Sequence, residues 1–303
     1  MTELLQIFAN NLLPILLISG TGFLIGKYLH VEPRTFGRII FYILYPALVL
    51  DLLTRNQLSL VDILKTSGFA LSVLIVSGSL TFLVGYLFKL ERPILMAVLL
   101  TSVFANSGNY GLPLISFAFG QDALAYASIY YITIALLFNT LGVLIASMGH
   151  LNFKDALLGM LKVPTIYAII VAMIIVRTGW VMPSPLERTV TLLAGGAIPC
   201  MLILLGLELQ RAQWSKNIMA ISISVFMRLI IGPLVGWGLS ILFGLKGAFR
   251  QAGVTDASLP TAVMTTILAT EYNLEPSLVT AIVFTSTVLS PLTLTPVLFI
   301  LGK

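Results

Sequence analysis

Apolar runs long enough to cross a bilayer recur along nearly the whole of this chain, and two of them are broken in the middle by polar, glycine- and proline-bearing segments. The first break reads Asn106-Ser107-Gly108-Asn109-Tyr110-Gly111-Leu112-Pro113, and the second reads Thr255-Asp256-Ala257-Ser258-Leu259-Pro260. Hydrocarbon gives backbone N–H and C=O groups no water to bond, so such a break survives at membrane depth only where it lines a space enclosed by protein. Two breaks in corresponding halves of one chain point to a transport site.

Composition agrees. With 58% hydrophobic and 10% charged residues, the chain lies far from a soluble domain, in which about a quarter of residues are charged. At roughly 20 apolar residues per crossing, the length allows about ten spans and leaves no room for a soluble domain. The single Cys200 excludes disulfides and Cys-based metal sites and is expected to be a small buried hydrophobe. The first residues, Met1 to Asn11, carry no basic region and lead into an apolar stretch too long for a signal peptide, so they are expected to begin a retained first helix. The net charge of +5 is scattered over short loops and does not suggest nucleic acid.

The runs predict an all-α polytopic protein with spans near 5–27, 34–54, 63–88, 93–119 and 123–147, then 156–177, 185–209, 215–243, 247–270 and 276–300. The hydrophilic midpoint His150-Leu151-Asn152-Phe153-Lys154-Asp155 divides them into five plus five, 1–149 and 150–303. Proline punctuates both halves alike. Pro14 and Pro164 open their first spans, Pro46 matches Pro199, and Pro113 matches Pro260, the last two pairs lying 153 and 147 residues apart. Five being odd, the halves must insert with opposite orientation, as an inverted repeat.

Orientation follows from basic residues in short loops. Lys27, Arg34, Arg38, Lys89, Arg92, Lys154, Lys162, Arg211 and Lys216 lie on one side; Arg55, Lys65, Arg177, Arg188, Lys246, Arg250 and Lys303 lie on the other. This favours a cytoplasmic midpoint loop and both termini outside the inner membrane, in an extracellular or periplasmic position.

Within the breaks, Gly108 and Gly111 permit backbone conformations that other residues resist, while Pro113 and Pro260 fit the first turn of new half-helices. Free N–H groups and the positive dipole end of a half-helix stabilise an anion by typically ~0.3 to 1 kcal/mol. Asn106, Ser107, Asn109 and Ser258 add neutral donors and acceptors that can replace the hydration of a carboxylate without trapping it. Asp256 is either a protonatable or cation-binding coupling group or the fixed partner of a base. Arg228, in the middle of its span, is 13 residues past Ser215, about 20 Å along a helix, too deep for easy snorkelling; it either pairs with Asp256 or holds an anion. Asp51 and Glu208 are expected to be solvated helix-end charges, and His30 and His150 exposed loop residues. Gly22/Gly26 and Gly232/Gly236 have the spacing of close helix packing.

Asn106-Ser107-Gly108-Asn109-Tyr110-Gly111-Leu112-Pro113-Leu114 resembles the fourth-span signature of the auxin efflux carrier family, which includes plant PIN-type carriers and bacterial malate and malonate permeases. Ser258-Leu259-Pro260-Thr261-Ala262, with Leu268-Ala269-Thr270-Glu271-Tyr272 after it, is similar to the ninth-span pattern; Arg228 with Pro233 resembles the eighth, and Leu44-Tyr45-Pro46-Ala47-Leu48 the second. The resemblance spans the whole chain and implies the fold of bile-acid sodium symporters and sodium/proton antiporters. Spans 1, 2, 6 and 7 would form a scaffold, and spans 3–5 and 8–10, with broken helices 4 and 9 crossing, a moving part. It also implies organic-anion transport, driven by potential or protons in some members. The chain lacks the long cytoplasmic loop of the longer plant carriers.

The leading expectation is therefore a secondary carrier of small carboxylates working by alternating access, with Asn106, Ser107, Asn109, Tyr110, Gly111, Pro113, Ser258, Pro260 and Arg228 around the substrate and Asp256 as coupling residue. A proton or sodium is the coupling ion, lipid surrounds the protein, and a homodimer is an open alternative. Neither a cofactor nor a metal site is expected. The rivals are a cation/proton antiporter exchanging at Asp256, though such sites usually gather two or more carboxylates at the break and here only Asp256 is present, and a non-transporting sensor, which would need a loop or tail to signal through. An enzyme is not expected, because no ligand cluster or activated nucleophile lies in any span.

Overall fold

The computed structural model describes residues 2–56, 58–147, 164–213 and 215–302. The hydrophilic midpoint with His150, and the first residues of the expected sixth span, lie outside the described residues. The described chain is helical throughout, with no strand beyond one isolated bridge. Its helices are α1 (Glu3–Leu29), α2 (Pro33–Arg55), α3 (Leu60–Leu87), α4 (Arg92–Val103), α5 (Ser107–Ala146), α6 (Pro164–Thr178), α7 (Ser184–Leu209), α8 (Ile218–Leu242), α9 (Gly247–Ser258), α10 (Met264–Glu271) and α11 (Pro276–Leu301). Among the described residues, α1, α2, α3, α5, α7, α8 and α11 are the 7 helices long and apolar enough to cross a membrane.

Local chemistry sets the ends. Proline stands in the first turn of α2, α4, α7 and α11, where its missing N–H costs no helical bond. Ser59 and Asp62 form a reciprocal capping box that starts α3. Inside α5, Gly120 adopts φ 78° and ψ −163° and breaks the helix, a conformation that glycine reaches without a Cβ penalty.

Prolines also shape the helix interiors. In four places the residue just before a proline, namely Leu13, Tyr45, Leu112 and Gly232, bonds back five residues instead of four, to Phe8, Ile40, Ser107 and Met227 respectively. The following Pro14, Pro46, Pro113 and Pro233 lack an N–H and crowd the preceding turn, which widens into a π segment. A widened turn rotates everything after it about the helix axis. Tyr45 and Arg228 lie within or at the end of such turns, and both side chains face inward.

The first two helices pack against the later ones: α1 lies on α7, and α2 on both α6 and α7. The remaining helices pack chiefly among themselves, α9 against α5 and α8, and α3 against α4, α5 and α8. Close approach explains the glycine pairs. A Cβ on Gly22 would lie 2.2 Å from the Ile203 carbonyl oxygen, and one on Gly236 would lie 2.4 Å from the Ala257 Cβ, so both positions are helix contacts. Outward, Leu192, Leu242 and Leu292 are each more than 70% exposed, an apolar surface suited to lipid rather than water.

Candidate functional site

Helix α4 ends at Val103 and the chain runs through Phe104, Ala105 and Asn106 before α5 begins; α9 ends at Ser258 and runs through Leu259 to Val263 before α10 begins. These two short links lie antiparallel and bond to each other. The Asn106 N–H donates to the Pro260 carbonyl and the Ala262 N–H to that of Phe104, each at 2.8 Å, around a bridge between Ala105 and Thr261. Thr261 completes the crossing: its hydroxyl donates to the Thr101 carbonyl at 2.9 Å, and its N–H to Ser286 Oγ at 3.2 Å. Each break thus supplies hydrogen-bond partners that the other lacks, which is the physical reason for having two.

Both breaks are shorter than the sequence suggests. Asp256 lies in the last turn of α9 rather than inside the break, and Pro260 belongs to the extended link rather than to the first turn of a half-helix. The half-helix after the first break starts at Ser107, so Pro113 falls in its second turn and accounts for the π segment Ser107–Gly111. The reason is the cross-bonding between the links, which holds Pro260 to Ala262 extended.

Arg228 is 1% exposed and engages main-chain carbonyls. Its Nε donates to Leu259 at 2.7 Å, Nη1 to Ser102 at 3.1 Å, and Nη2 to Ala257 and, at 3.5 Å, to Asp256. Ser102 lies in the last turn of α4; Asp256 and Ala257 lie in the last turn of α9, and Leu259 follows it. One guanidinium therefore serves the negative ends of both half-helices, with a fork that reaches two helices at once. Beside it, Ser224 Oγ lies 2.8 Å from Thr101 Oγ1 and 3.1 Å from Ser102 Oγ. Of the two roles expected for Arg228, pairing with the Asp256 carboxylate is not what the bonds describe; the contact is with the Asp256 main-chain carbonyl.

Asp256 is fully buried, and neither carboxylate oxygen makes a hydrogen bond. The side chain stands at the first turn of α5, the positive end of that half-helix: a Cβ on Gly111 would lie 3.1 Å from Asp256 Oδ1, and Ser107 Oγ lies beside the carboxyl outside hydrogen-bonding geometry. Asn106 Nδ2, Ser107 Oγ, Thr255 Oγ1 and Tyr45 Oη are likewise buried without a hydrogen bond. The Tyr45 phenol is in electrostatic contact with Asp256, and its ring packs edge-on against Tyr131 at 4.5 Å.

Not every expected residue turns the same way. Ser107 and Gly111 meet Asp256 at the crossing, Asn106 bonds to Pro260 there through its main chain, and Pro113 and Pro260 are buried along it. Asn109 is only partly buried. Tyr110 points instead into an apolar cluster with Leu12, Ile15 and Leu205, where Ser290 Oγ donates to its phenol at 3.1 Å. The Ser258 hydroxyl donates to the Val254 carbonyl in its own helix. Glu208, expected in solvent, has a buried Oε2 with no hydrogen bond, whereas Asp51 accepts from Arg55 and Thr191 near the end of α2. Tyr131 carries no charge and stands among many similar apolar-segment hydroxyls, so the sequence does not single it out; Tyr45 and Thr261 lie in the segments that resemble the family's second and ninth spans, but without a role of their own there. Surface cavities of about 750 and 200 Å³ lie elsewhere, where α2 ends against α7 around Arg55, Glu187 and Thr191.

An apolar helical chain whose two interrupted helices cross-bond deep in its interior has the makings of a multi-pass membrane transporter. The family described as "Membrane transport protein" matches residues 7–298, and the chain belongs to this family, which contains the auxin efflux carriers. An uncharacterized transporter of Methanothermobacter thermautotrophicus is 26% identical over 89% of this chain and 90% of its own length. An uncharacterized transporter of Methanocaldococcus jannaschii is 26% identical over 81% of this chain and 82% of its own. Auxin efflux carrier component 8 of Arabidopsis thaliana is 29% identical over 38% of this chain and 32% of its own.

Proposed function

We propose that the protein is a secondary carrier of small organic anions, carboxylates such as malate, malonate or auxin-like acids, and works by alternating access. The observation that carries this reading is the unequal treatment of the half-helix ends at the crossing. Arg228 satisfies the carboxyl-terminal ends of α4 and α9, while the amino-terminal end of α5 carries polar side chains with bonding capacity to spare. Amino-terminal ends attract anions. Asn109, which is partly exposed beside the enclosed residues, suits recognition of a carboxylate at the edge of the crossing.

In this reading the chain crosses the membrane ten times as a five-plus-five inverted repeat. The break at Gly120 supports dividing α5 into two crossings; α4 with the first part of α5, and α9 with α10, make the two broken ones. The packing of α1, α2, α6 and α7 supports a scaffold, with the crossing carried by the remaining helices. Both termini face outward from the cell membrane, and Asp256 couples transport to a cation.

The test is uptake of labelled dicarboxylates and indole acids into proteoliposomes. Replacing Asn109 by Ala removes a bond to a charged ligand, so uptake is expected to fall by about tenfold or more in protein that still elutes as a single folded species. Undiminished uptake would remove Asn109 from the site. Sodium or proton flux without any organic anion would favour cation/proton exchange.

A further inference from the structure

We propose that the groove where α2 ends against α7 binds one zwitterionic phospholipid whose headgroup carries a primary ammonium. The inference goes beyond the carrier reading and stands without it. The groove has a volume of about 750 Å³; Arg55, Glu187 and Arg188 line its rim, and Leu192, Gly195 and Gly196 line the rest. Gly195 lies about 10 Å beyond Arg188 along the axis of α7. Charge at one end and apolar surface beyond it is the order of chemistry along a lipid, headgroup first and acyl chain after.

The two glycines have no packing reason inside the protein. Glycine in the middle of a helix costs more stability than any residue but proline, and at Gly22, Gly206 and Gly236 the reason for it is a neighbouring helix that an added Cβ would strike. At Gly195 an added Cβ would meet no protein atom within 4 Å, and at Gly196 only Leu44 Cδ2 at 3.9 Å. Open space beside one helical glycine is not unusual, since Gly20 and Gly238 have it too. Two in succession, two turns beyond a charged rim, make a trough. Leu192, on the way to it, is 79% exposed, so the trough faces the bilayer and an acyl chain can fill it.

Charge selects the headgroup. Arg55 donates to Asp51 at 3.0 Å and to Thr191 at 2.9 Å, so its charge is matched within the protein. Glu187 and Arg188 form no ion pair among the described residues, and consecutive positions on a helix do not face each other. One negative and one positive group therefore remain unmatched at the rim, the complement of a phosphate and an ammonium. A guanidinium suits a phosphate bidentately. The Glu187 carboxylate can accept a hydrogen bond from a primary ammonium and none from a quaternary one, which has no N–H. Trp180, half exposed in the adjoining cavity, is the residue type that collects at headgroup depth.

The experiment adds phosphatidylethanolamine, phosphatidylcholine, phosphatidylglycerol or soluble phosphoethanolamine to the purified full chain in detergent. Native mass spectrometry reads the bound lipid and thermal unfolding the stability. Phosphatidylethanolamine is expected to stay bound at one per chain and to raise the unfolding temperature saturably, as a ligand of the folded state does. The other two lipids are expected to bind about tenfold more weakly, the scale of one charge-assisted hydrogen bond. Phosphoethanolamine, with the headgroup and no acyl chains, is expected to do neither. Arg188→Gln should raise the half-saturating concentration of phosphatidylethanolamine by about tenfold, and Glu187→Gln should remove the preference over phosphatidylcholine. Gly195→Leu fills the trough and should abolish retention; the two rim variants keep the test open if it does not fold. Equal binding of the three lipids overturns the site, as does stabilisation by phosphoethanolamine alone, or retention unchanged in both Arg188→Gln and Gly195→Leu. A Gly195→Leu variant that goes from dimer to monomer with its lipid response intact also overturns it, and makes this face an interface between copies.

Discussion

Arg228 and Asp256 meet at the same crossing, are buried to the same degree, and differ in every bond they make. The arginine donates to carbonyls of two half-helices; the carboxylate accepts from nothing. A buried charge with its hydrogen bonds made fixes structure, because removing it leaves its partners stranded. One with none is poised for something that comes and goes. The break therefore has a rigid side, where helix ends are joined, and a responsive side, where buried oxygens are left without hydrogen bonds.

The sharpest way to break that comparison is to remove each charge in turn and measure stability in detergent. Arg228→Gln leaves the Ser102, Ala257 and Leu259 carbonyls with too few donors, and the expected loss is about 3 to 5 kcal/mol, the scale for breaking a buried charged pair. Arg228→Lys keeps the charge but not the fork, and should recover only part of that loss. Asp256→Asn should stay within about 1 kcal/mol of the parent, since no hydrogen bond is lost. Equal losses at the two positions would mean that Asp256 is structural after all.

The next test acts on the responsive side alone. A Cβ at Gly111 would lie 2.4 Å from Leu259 Cδ1 and 3.1 Å from Asp256 Oδ1. Gly111→Ala is expected to cost about 1 to 3 kcal/mol through overpacking, and to lower uptake by displacing the Asp256 carboxyl. Leu259 can yield, because its contacting atom ends a flexible side chain. Lost stability with unchanged uptake would mean that the position of this carboxyl does not matter to transport.

Much of this asymmetry was legible beforehand and part was not. Apolar runs, the two breaks and the depth of Arg228 are local or periodic signals, and each has its counterpart in the structure. The destination of Arg228 was not legible, because carbonyl acceptors are present at every residue and only the crossing decides which are free. The same holds for Tyr110 and Ser258, whose hydroxyls bond to a distant helix and to their own turn respectively. Pro260 misled because its fit to a first helical turn is a local preference, and cross-bonding between the links overrides it. Tyr45 stood in a segment resembling the family's second span but had no role there, because a tyrosine before a proline says nothing of where its phenol is buried.

The smallest effect supplies the scale against which the two buried charges are judged. Glu32, between α1 and α2, is solvated: it accepts from the Arg34 N–H at 3.2 Å and pairs loosely with Arg211 at 3.4 Å, where both side chains are more than half exposed. The Arg34 amide, with a smaller contribution from the charge of Arg211, holds this carboxyl below its ordinary value of 4.5. A lowered folded-state value means that the contribution to stability is present above the unfolded-state value and is lost as pH falls through the folded one. Glu32→Gln should therefore lower the unfolding temperature slightly near neutral pH, and the difference from the parent should vanish in acid and shrink in high salt. Arg228→Gln should show no comparable salt dependence, because its partners are enclosed. If the Glu32 and Arg228 variants responded alike to salt, the crossing would be open to water and the contrast between its two sides would lose its basis.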